Sequence, residues 1–176
     1  MCETCKTGMR GAEGMSMDVK RIVSGGQTGV DRAALDVAID LGIGCGGWCP
    51  AGRLAEDGPI SSEYPLKETP ASEYAERTEW NVRDSDGTLV LTIGTPTDGT
   101  HFTVLIAAHM AKPCLIVDFN KEPDTEHVRN WIAQNRINTL NVAGPRASKF
   151  PFIYDKALEF LHDLFDERQT GSGRTQ

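Results

Sequence analysis

Glycines cluster between an apolar segment and a helical pattern near the start of the chain, and such a junction suits anion binding. Residues 19–23 predict a strand and residues 33–39 predict a helix. Glycine between them lets backbone N–H groups face a ligand, and the first helical turn adds unpaired amides and about half a positive charge. The junction therefore predicts a phosphate site or, without a ligand, a tight turn. The candidate residues are Gly25, Gly26, Gln27, Thr28, Gly29 and Asp31, of which Asp31 caps the helix or excludes a second anion.

A second glycine-bearing loop follows the apolar segment 88–93 and precedes another helical pattern at 101–110. Its hydroxyl groups suit phosphate or sugar oxygens, and the carboxylate of Asp98 suits a ribose hydroxyl. A simple helix cap explains the same residues equally well. The candidate residues are Thr95, Thr97, Asp98, Gly99 and Thr100.

Short apolar segments alternate with helical patterns, and this order indicates how the two loops are positioned. Further strands are predicted at 44–48, 88–93, 114–118 and 139–143, and further helices at 72–84, 101–110, 125–135 and 152–165. Near-continuous apolar strands are typical of a sheet covered on both faces. We therefore expect a three-layer α/β fold with a mainly parallel sheet and helices on both faces. Its ligand site should lie beyond the carboxyl ends of the strands, where both loops face one crevice.

The composition is that of a globular domain. The chain has 176 residues, of which 39% are hydrophobic and 24% charged, and we expect one domain at 18–167 with disordered segments at 1–17 and 168–176. A net charge of −7 disfavours nucleic acid as a partner. No apolar run approaches the roughly 20 residues of a membrane span, and the start lacks a signal-peptide pattern. We expect a cytoplasmic protein without a membrane partner.

The five cysteines do not have the spacing of a structural zinc site, which needs four ligands. One Cys-x-x-Cys pair exists, at Cys2 and Cys5, and the others are Cys45, Cys49 and Cys114. A composite site that joins the first pair to Cys45 and Cys49 is the alternative. We expect free thiols in a reducing compartment and no structural metal.

A long irregular segment separates the two loops, at 47–70. Such a length inside a compact domain is usually functional, and its aromatic residues argue against disorder, so we expect a lid or a subunit contact. Trp48 either stacks on a base or packs in the core. Arg53 either binds a phosphate or pairs with Glu56 or Asp57.

The helix predicted at 72–84 carries polar residues at helical spacing. Arg77, Asn81 and Asp84 lie four and three residues apart and therefore share one side. A hydrated outer face is the ordinary explanation, but Asn is a poor helix former, which favours a polar network at the site. Arg53, Arg77 and Arg83 are the candidate cations that would neutralise a phosphate.

Several motifs, in this order, resemble the molybdenum cofactor carrier family, which is also described as a circularly permuted branch of the YpsA-like SLOG superfamily. The motifs occupy residues 25–31, 47–53, 64–66, 79–88 and 140–146. The resemblance implies a Rossmann-like fold, a homo-oligomer, and a phosphorylated nucleotide-like ligand at the Gly-rich loops. The ligand would be a nucleotide or the molybdenum cofactor, a pyranopterin phosphate.

A neighbouring branch, the LOG-type phosphoribohydrolases, implies an enzymatic alternative. Those enzymes use a Pro-Gly-Gly-x-Gly-Thr-x-x-Glu loop, and the corresponding loop here, residues 95–100, has Thr103 where the Glu would stand. Hydrolysis would then depend on Asp98, His101 or Glu79 as the acid or base.

Together these observations predict a protein that binds a phosphorylated nucleotide-like ligand and carries, senses or protects it. A nucleotide-processing hydrolase is the alternative. A protein interaction module whose Gly-rich loops contact another protein is the second alternative.

Overall fold

A five-stranded sheet forms the centre of the protein, and the computed structural model describes residues 17–166. The predicted segments 1–17 and 168–176 lie outside the described residues, except for Met17. The strands are β1 Arg21–Val23, β2 Gly44–Gly46, β3 Trp48–Cys49, β4 Leu54–Ala55, β5 Gly58–Pro59, β6 Lys67–Glu68, β7 Gly87–Thr92, β8 Cys114–Asp118 and β9 Thr139–Ala143. The helices are α1 Val30–Asp40, α2 Tyr74–Arg83, α3 Asp98–His109, α4 Thr125–Gln134 and α5 Ile153–Phe165.

The central strands lie in the order β2-β1-β9-β7-β8 and are all parallel. The last strand in the chain is therefore the middle strand of the sheet. Ile22 pairs with Leu140 in β9, and Leu89 of β7 pairs with Val142 on the other side of β9. The chain leaves β1 toward β2 and leaves β7 toward β8, in opposite directions, which creates a topological switch point above β9.

Successive side chains of β7 point to opposite faces of the sheet, and each face is covered by a different group of helices. Leu89 and Leu91 are fully buried in the core that includes α1, α4 and α5. Thr88, Val90 and Thr92 point to the opposite face because successive strand residues alternate. Helices α2 and α3 pack against each other as the second group. The predicted three-layer, Rossmann-like α/β fold is confirmed, and the central sheet is wholly parallel.

The segment 47–70 folds as two small sheets beside α1. β3 pairs in parallel with β6, and β4 and β5 form an antiparallel hairpin. Cys49, Ile60 and Leu66 pack with Leu35 of α1 in a separate small core. The segment thus has a fixed place against the Gly-rich loop, and its predicted role as a lid or subunit contact stays a prediction.

Within residues 17–166, none of the helices is both long and apolar enough to cross a membrane.

Candidate functional site

A cavity of about 550 Å³ opens at the switch point, beyond the carboxyl ends of β1, β9 and β7. Ligands of open α/β sheets bind at this position, and the volume is in the range of a nucleotide-sized pocket. Both Gly-rich loops reach this cavity, as do α2 and the loop after β9. It is lined by Gly25, Gln27, Asp31, Tyr74, Ala75, Arg77, Thr78, Asn81, Thr97, Asp98, Gly99, Thr100, Phe102, Thr103, Asn141, Ala143, Gly144, Pro145, Arg146 and Lys149.

A buried ion pair joins the first Gly-rich loop to α2. Nη1 of Arg77 donates to Oδ2 of Asp31 at 2.8 Å, and their side chains are 14% and 5% exposed. The guanidinium lies over Gly25, where a Cβ atom would come within 1.3 Å of Nη1. Glycine at position 25 therefore makes room for the cation.

Three backbone amides in this region donate to groups of the protein itself. The N–H of Gln27 donates to Asp31 at 3.3 Å, that of Thr28 to Oε1 of Gln27 at 3.0 Å, and that of Val30 to the carbonyl of Pro145 at 3.3 Å. Asp31 thus closes the loop and does not cap α1, whose N-cap is Gly29 without a side-chain cap.

Two residues of the cavity lining each carry one buried donor without a hydrogen-bond partner. Oε1 of Gln27 accepts from the N–H groups of Thr28 and Glu56, at 3.0 and 2.9 Å, and this fixes the amide so that Nε2 is the donor end. Among the residues that the structure describes, Nε2 of Gln27 and Nε of Arg77 are the buried side-chain nitrogen or oxygen atoms without a hydrogen-bond partner. A buried unpaired donor costs about 1–3 kcal/mol, so an acceptor that reached either atom would gain affinity.

Asn81 lines the cavity, but its polar atoms hold the backbone of β3. Its Oδ1 accepts from the N–H of Trp48 at 2.8 Å, and its Nδ2 donates to the carbonyl of Trp48 at 2.9 Å. Asn81 therefore fixes α2 against β3, and Arg77 contacts the first loop. The polar network expected at a ligand site stays a prediction.

The second Gly-rich loop forms the opposite wall. Thr97 precedes α3 as its N-cap, without a side-chain cap hydrogen bond, and Asp98 has a positive φ of 49°. Lys149, from the loop after β9, donates to Thr97 Oγ1 and Asp98 Oδ2. Hydrogen bonds from Lys149 and Thr97 hold the pKa of Asp98 below its ordinary value. Thr103, at the position of the LOG-type glutamate, donates to the carbonyl of Gly99 at 2.9 Å.

The lining carries three cations and two carboxylates, and one cation is loosely paired. Arg77 and Lys149 contact Asp31 and Asp98, whereas Nε of Arg146 lies 3.9 Å from Glu56 and its side chain is 45% exposed. The Arg146 guanidinium also lies 5.8 Å from the centre of the Tyr74 ring, and Arg77 lies 5.6 Å from the same ring. The cavity is thus positive although the chain carries a net charge of −7.

Nine of the predicted site residues line this cavity, and six lie outside it. Those in the lining are Gly25, Gln27, Asp31, Arg77, Asn81, Thr97, Asp98, Gly99 and Thr100. Those outside it are Gly26, Thr28, Gly29, Arg53, Arg83 and Thr95.

The three outlying residues of the first loop have packing roles. A Cβ atom on Gly26 would lie 2.5 Å from Leu66, and one on Gly29 would lie 2.4 Å from the carbonyl of Pro145. The Thr28 hydroxyl donates to Glu56 and accepts from the N–H of Ala147 at 3.1 Å. A side chain at Gly26 would therefore disturb the small core around Leu66 and Ile60.

Arg53 stabilises the segment 47–70 from within. Its guanidinium donates to the backbone carbonyls of Ile60, Ser61, Tyr64 and Leu66 at 2.6–3.3 Å. Arg53 thus binds these carbonyls and pairs with neither Glu56 nor Asp57. Its predicted contact with a phosphate stays a prediction.

Thr95, the first candidate residue of the second loop, is exposed and lies outside the cavity lining.

Arg83 and Trp48 belong to a partly exposed cluster at the end of α2, outside the cavity lining. Arg83 pairs with Asp84 at 2.7 Å and lies 4.8 Å from the centre of the Trp80 ring. Trp48 packs edge-on against Trp80 and donates to Asp84 at 2.7 Å. Trp48 is thus half-buried at the surface, away from the cavity lining.

The candidate acids and bases of the hydrolase alternative are dispersed. Asp98 lines the cavity, with its side chain 79% exposed and paired to Lys149. His101 and Glu79 are exposed and lie outside the lining.

Metal-ligating side chains do not converge in the described part of the chain. Over residues 17–166 no group of three or more His, Cys, Asp or Glu residues could hold a metal ion. Cys45, Cys49 and Cys114 are free thiols, and burial raises the pKa of each. Cys2 and Cys5 lie outside the described residues.

Sequence reasoning missed the cavity residues Arg146 and Lys149 and the connecting residue Glu56. The first two follow β9, whose central place in the sheet brings its loop between the two Gly-rich loops. The signal for them was Gly144-Pro145-Arg146 directly after a predicted strand. Glu56 gave no signal beyond its place in a polar turn.

Comparisons with known proteins agree with this architecture. A crystal structure of the "Putative molybdenum carrier protein" of Syntrophus aciditrophicus SB matches with a TM-score of 0.82 and 44% sequence identity, over 85% of this chain and 97% of that one. No curated protein matches the chain. Residues 22–165 match the model of the circularly permutated YpsA SLOG family. With both Gly-rich loops, β9 and the cavity inside the matched region, the chain belongs to the circularly permutated YpsA SLOG family.

Proposed function

We propose that the cavity binds a phosphorylated, nucleotide-like molecule, which the protein carries, senses or protects and returns unaltered. The observation that carries this proposal is the pair of unpaired buried donors, on Gln27 and Arg77, beside a cation-rich lining at the switch point. Hydrogen bonds from charged donors to phosphate oxygens are among the stronger polar contacts in proteins.

The charge inventory favours a ligand with one phosphate. Two of the three lining cations are paired with Asp31 and Asp98, and the third, Arg146, lies 3.9 Å from Glu56 and is 45% exposed, so Arg146 is the cation most available to a ligand. A phosphomonoester carries about two negative charges, and a triphosphate would exceed the cations of the lining. In this proposal Arg77 and Gln27 hold the phosphate, Arg146 neutralises it, and Thr97, Gly99 and Thr100 contact a sugar or a second polar group.

The rest of the lining suits a flat ring. Tyr74, Phe102 and Pro145 supply apolar and aromatic surface in the same cavity. Aromatic side chains commonly pack against heteroaromatic ligands. A purine nucleoside monophosphate and a pyranopterin phosphate share this combination of one phosphate and one flat ring system.

The molybdenum cofactor fits this donor set as a specific form of the proposal, and the name of the solved relative supports it. The described lining contains no His or Cys side chain, so the protein would hold the phosphate and the ring and leave the metal to the cofactor itself. When bound, the cofactor would supply redox chemistry only to the enzyme that receives it.

The remaining parts of the proposal concern the whole protein. We keep a single domain over 18–167, a homo-oligomer and a cytoplasmic location as proposals. Size-exclusion chromatography with light scattering and cell fractionation test the last two directly.

Titration calorimetry without Mg²⁺ tests the proposed ligand class, with AMP, ADP and ATP compared on one protein preparation. We expect AMP to bind more tightly than ATP by about tenfold or more, because each added phosphate lacks a cation. Equal or tighter binding of ATP would contradict the single-phosphate site. Analysis of the recovered nucleotide separates the two functions, because a carrier returns intact AMP and a hydrolase returns free adenine or adenosine.

A further inference from the structure

Glu56, at the tip of the β4–β5 hairpin, connects the first Gly-rich loop to the loop after β9. Its Oε1 accepts from the Thr28 hydroxyl and from the N–H of Ser148, the latter at 3.0 Å. Its Oε2 accepts from the Ser148 hydroxyl. The side chain is 18% exposed, although the residue lies on a surface hairpin. One carboxylate therefore fixes two of the loops whose residues line the cavity.

The backbone of Glu56 fixes the amide of Gln27. Its N–H donates to Oε1 of Gln27 at 2.9 Å, and the N–H of Thr28 donates to the same oxygen at 3.0 Å. These two donors determine which end of the amide is the oxygen, so that Nε2 is the donor end, which is buried and has no hydrogen-bond partner. If the hairpin tip moved, the Gln27 amide would lose one of these two donors.

The adjacent carboxylate holds the hairpin from the other side. Asp57 forms a bidentate ion pair with Arg32, in which Nη2 of Arg32 lies 2.8 Å from Oδ1 of Asp57. Nε of Arg32 in turn donates to the carbonyl of Gly26 at 3.2 Å. The hairpin tip thus contacts the Gly-rich loop at both ends.

We propose that Glu56 is a positioning residue for anion binding: its carboxylate fixes the hairpin tip and thereby holds the Gln27 amide and the loop after β9 in the binding arrangement. This inference rests on the proposed function and extends it to a residue outside the cavity. Burial alone would raise the pKa of Glu56, but hydrogen bonds from Ser148 and Thr28 hold it below its ordinary value. The carboxylate is therefore an ionised acceptor at neutral pH, and besides these donors it faces Arg146 of the lining, whose Nε lies 3.9 Å from Oε2 of Glu56.

Two substitutions separate this positioning role from a simple effect of charge. Glu56→Ala removes the acceptors, whereas Glu56→Gln keeps Oε1 for Thr28 and for the N–H of Ser148 and can donate to the Ser148 hydroxyl. If the charge alone mattered, both variants would bind anions more tightly, because each removes a negative charge. Glu63→Gln is the matched control, because Glu63 is an exposed carboxylate in the same segment.

Hydrogen exchange of the ligand-free proteins is the first measurement. We expect the Thr28 and Ser148 amides to exchange about tenfold faster in Glu56→Ala, with rates in Glu56→Gln and Glu63→Gln within about threefold of wild type. Unchanged exchange in Glu56→Ala would overturn the proposal. This comparison requires no ligand, so it decides the role of Glu56 even if the proposed function fails.

Titration with inorganic phosphate, followed by NMR shifts of the Gly25 and Gln27 amides, is the second measurement. We expect about tenfold weaker binding in Glu56→Ala and recovery to within about threefold in Glu56→Gln, at a temperature where all variants are folded. A purely structural residue would lower the melting temperature and leave this affinity unchanged, which would overturn the proposal. Absence of any shift in the wild-type protein would instead count against the proposed function.

Discussion

Arg77 lies in the space that a side chain at residue 25 would fill. A Cβ atom added to Gly25 would be 1.3 Å from Nη1 of Arg77 and 2.9 Å from Oδ2 of Asp31. The glycine, the cation and the carboxylate therefore form one unit at the end of β1. A change at Gly25 must act on the ion pair.

Gly25→Ala should disrupt this unit. We expect a loss of about 3 kcal/mol in the free energy of unfolding, because Asp31 would keep a buried carboxylate without its cation. Anion affinity should fall by about tenfold or more, since Arg77 would leave the cavity wall. Urea denaturation and phosphate titration measure the two effects.

Gly99→Ala is the control for an added methyl group in the same cavity. Nothing lies within 4 Å of a Cβ atom at Gly99, and the residue is in α3, so the free energy of unfolding should stay unchanged or rise by up to about 1 kcal/mol, because alanine is the better helix former. Equal stabilities of the two variants would show that Arg77 does not depend on Gly25.

Asp98→Asn should strengthen anion binding. The substitution releases Lys149 from its carboxylate partner and removes a negative charge from the lining. We expect the dissociation constant for AMP to fall about two- to fivefold. The gain is small because the exposed Asp98–Lys149 ion pair competes only weakly with the phosphate for Lys149. Weaker binding would mean that the Asp98 carboxylate contacts the ligand, as a ribose hydroxyl acceptor would. Loss of turnover would support the hydrolase alternative.

The low pKa of Glu56 makes part of the stability dependent on pH. Because its folded pKa lies below the ordinary 4.5, its stabilising contribution is complete above that pH and is lost as the pH falls through the folded pKa. The difference in free energy of unfolding between wild type and Glu56→Gln should therefore shrink between about pH 6 and about pH 3. Other carboxylates titrate in the same range, but they are common to both proteins. A constant difference would contradict this account.

Cys114 should react slowly with alkylating reagents. Burial raises the pKa of its thiol from 9.0 to about 11, and the thiolate is the reactive form. Iodoacetamide at about pH 8 should therefore modify Cys114 about a hundredfold more slowly in the folded protein than in urea. Peptide mass spectrometry follows each cysteine separately. Similar rates in both states would show that the thiol is not shielded.

Local sequence patterns predicted the helices and strands well, because the buried residues of this fold recur at the helical spacing of about 3.6 residues or the strand spacing of about two. The bounds of β8 and β9 agree with the predicted 114–118 and 139–143. α3 begins three residues before the predicted 101, because the backbone carbonyl of Thr97 accepts from Thr100 and His101. The positive φ of Asp98 at this start depends on contacts that sequence periodicity does not encode.

The cavity was predicted less completely, because strand order decides which loops meet. A last strand in the centre of the sheet is not encoded in the periodicity of residues 139–143, so Arg146 and Lys149 were not expected between the Gly-rich loops. Arg53 shows a second limit. Its partners are four carbonyls of one irregular segment, and carbonyls carry no sequence signature.

Native mass spectrometry of the wild-type protein and Arg77→Lys, both purified from the natural host, tests the central claim most directly. Lysine can still pair with Asp31 but lacks the remaining guanidinium donors, so the variant should fold and bind weakly. We predict a stoichiometric small molecule with one phosphate and a heteroaromatic ring on the wild-type protein, and about tenfold less of it on Arg77→Lys. Equal occupancy of the two proteins, or a bound molecule without phosphate, would contradict the proposed site.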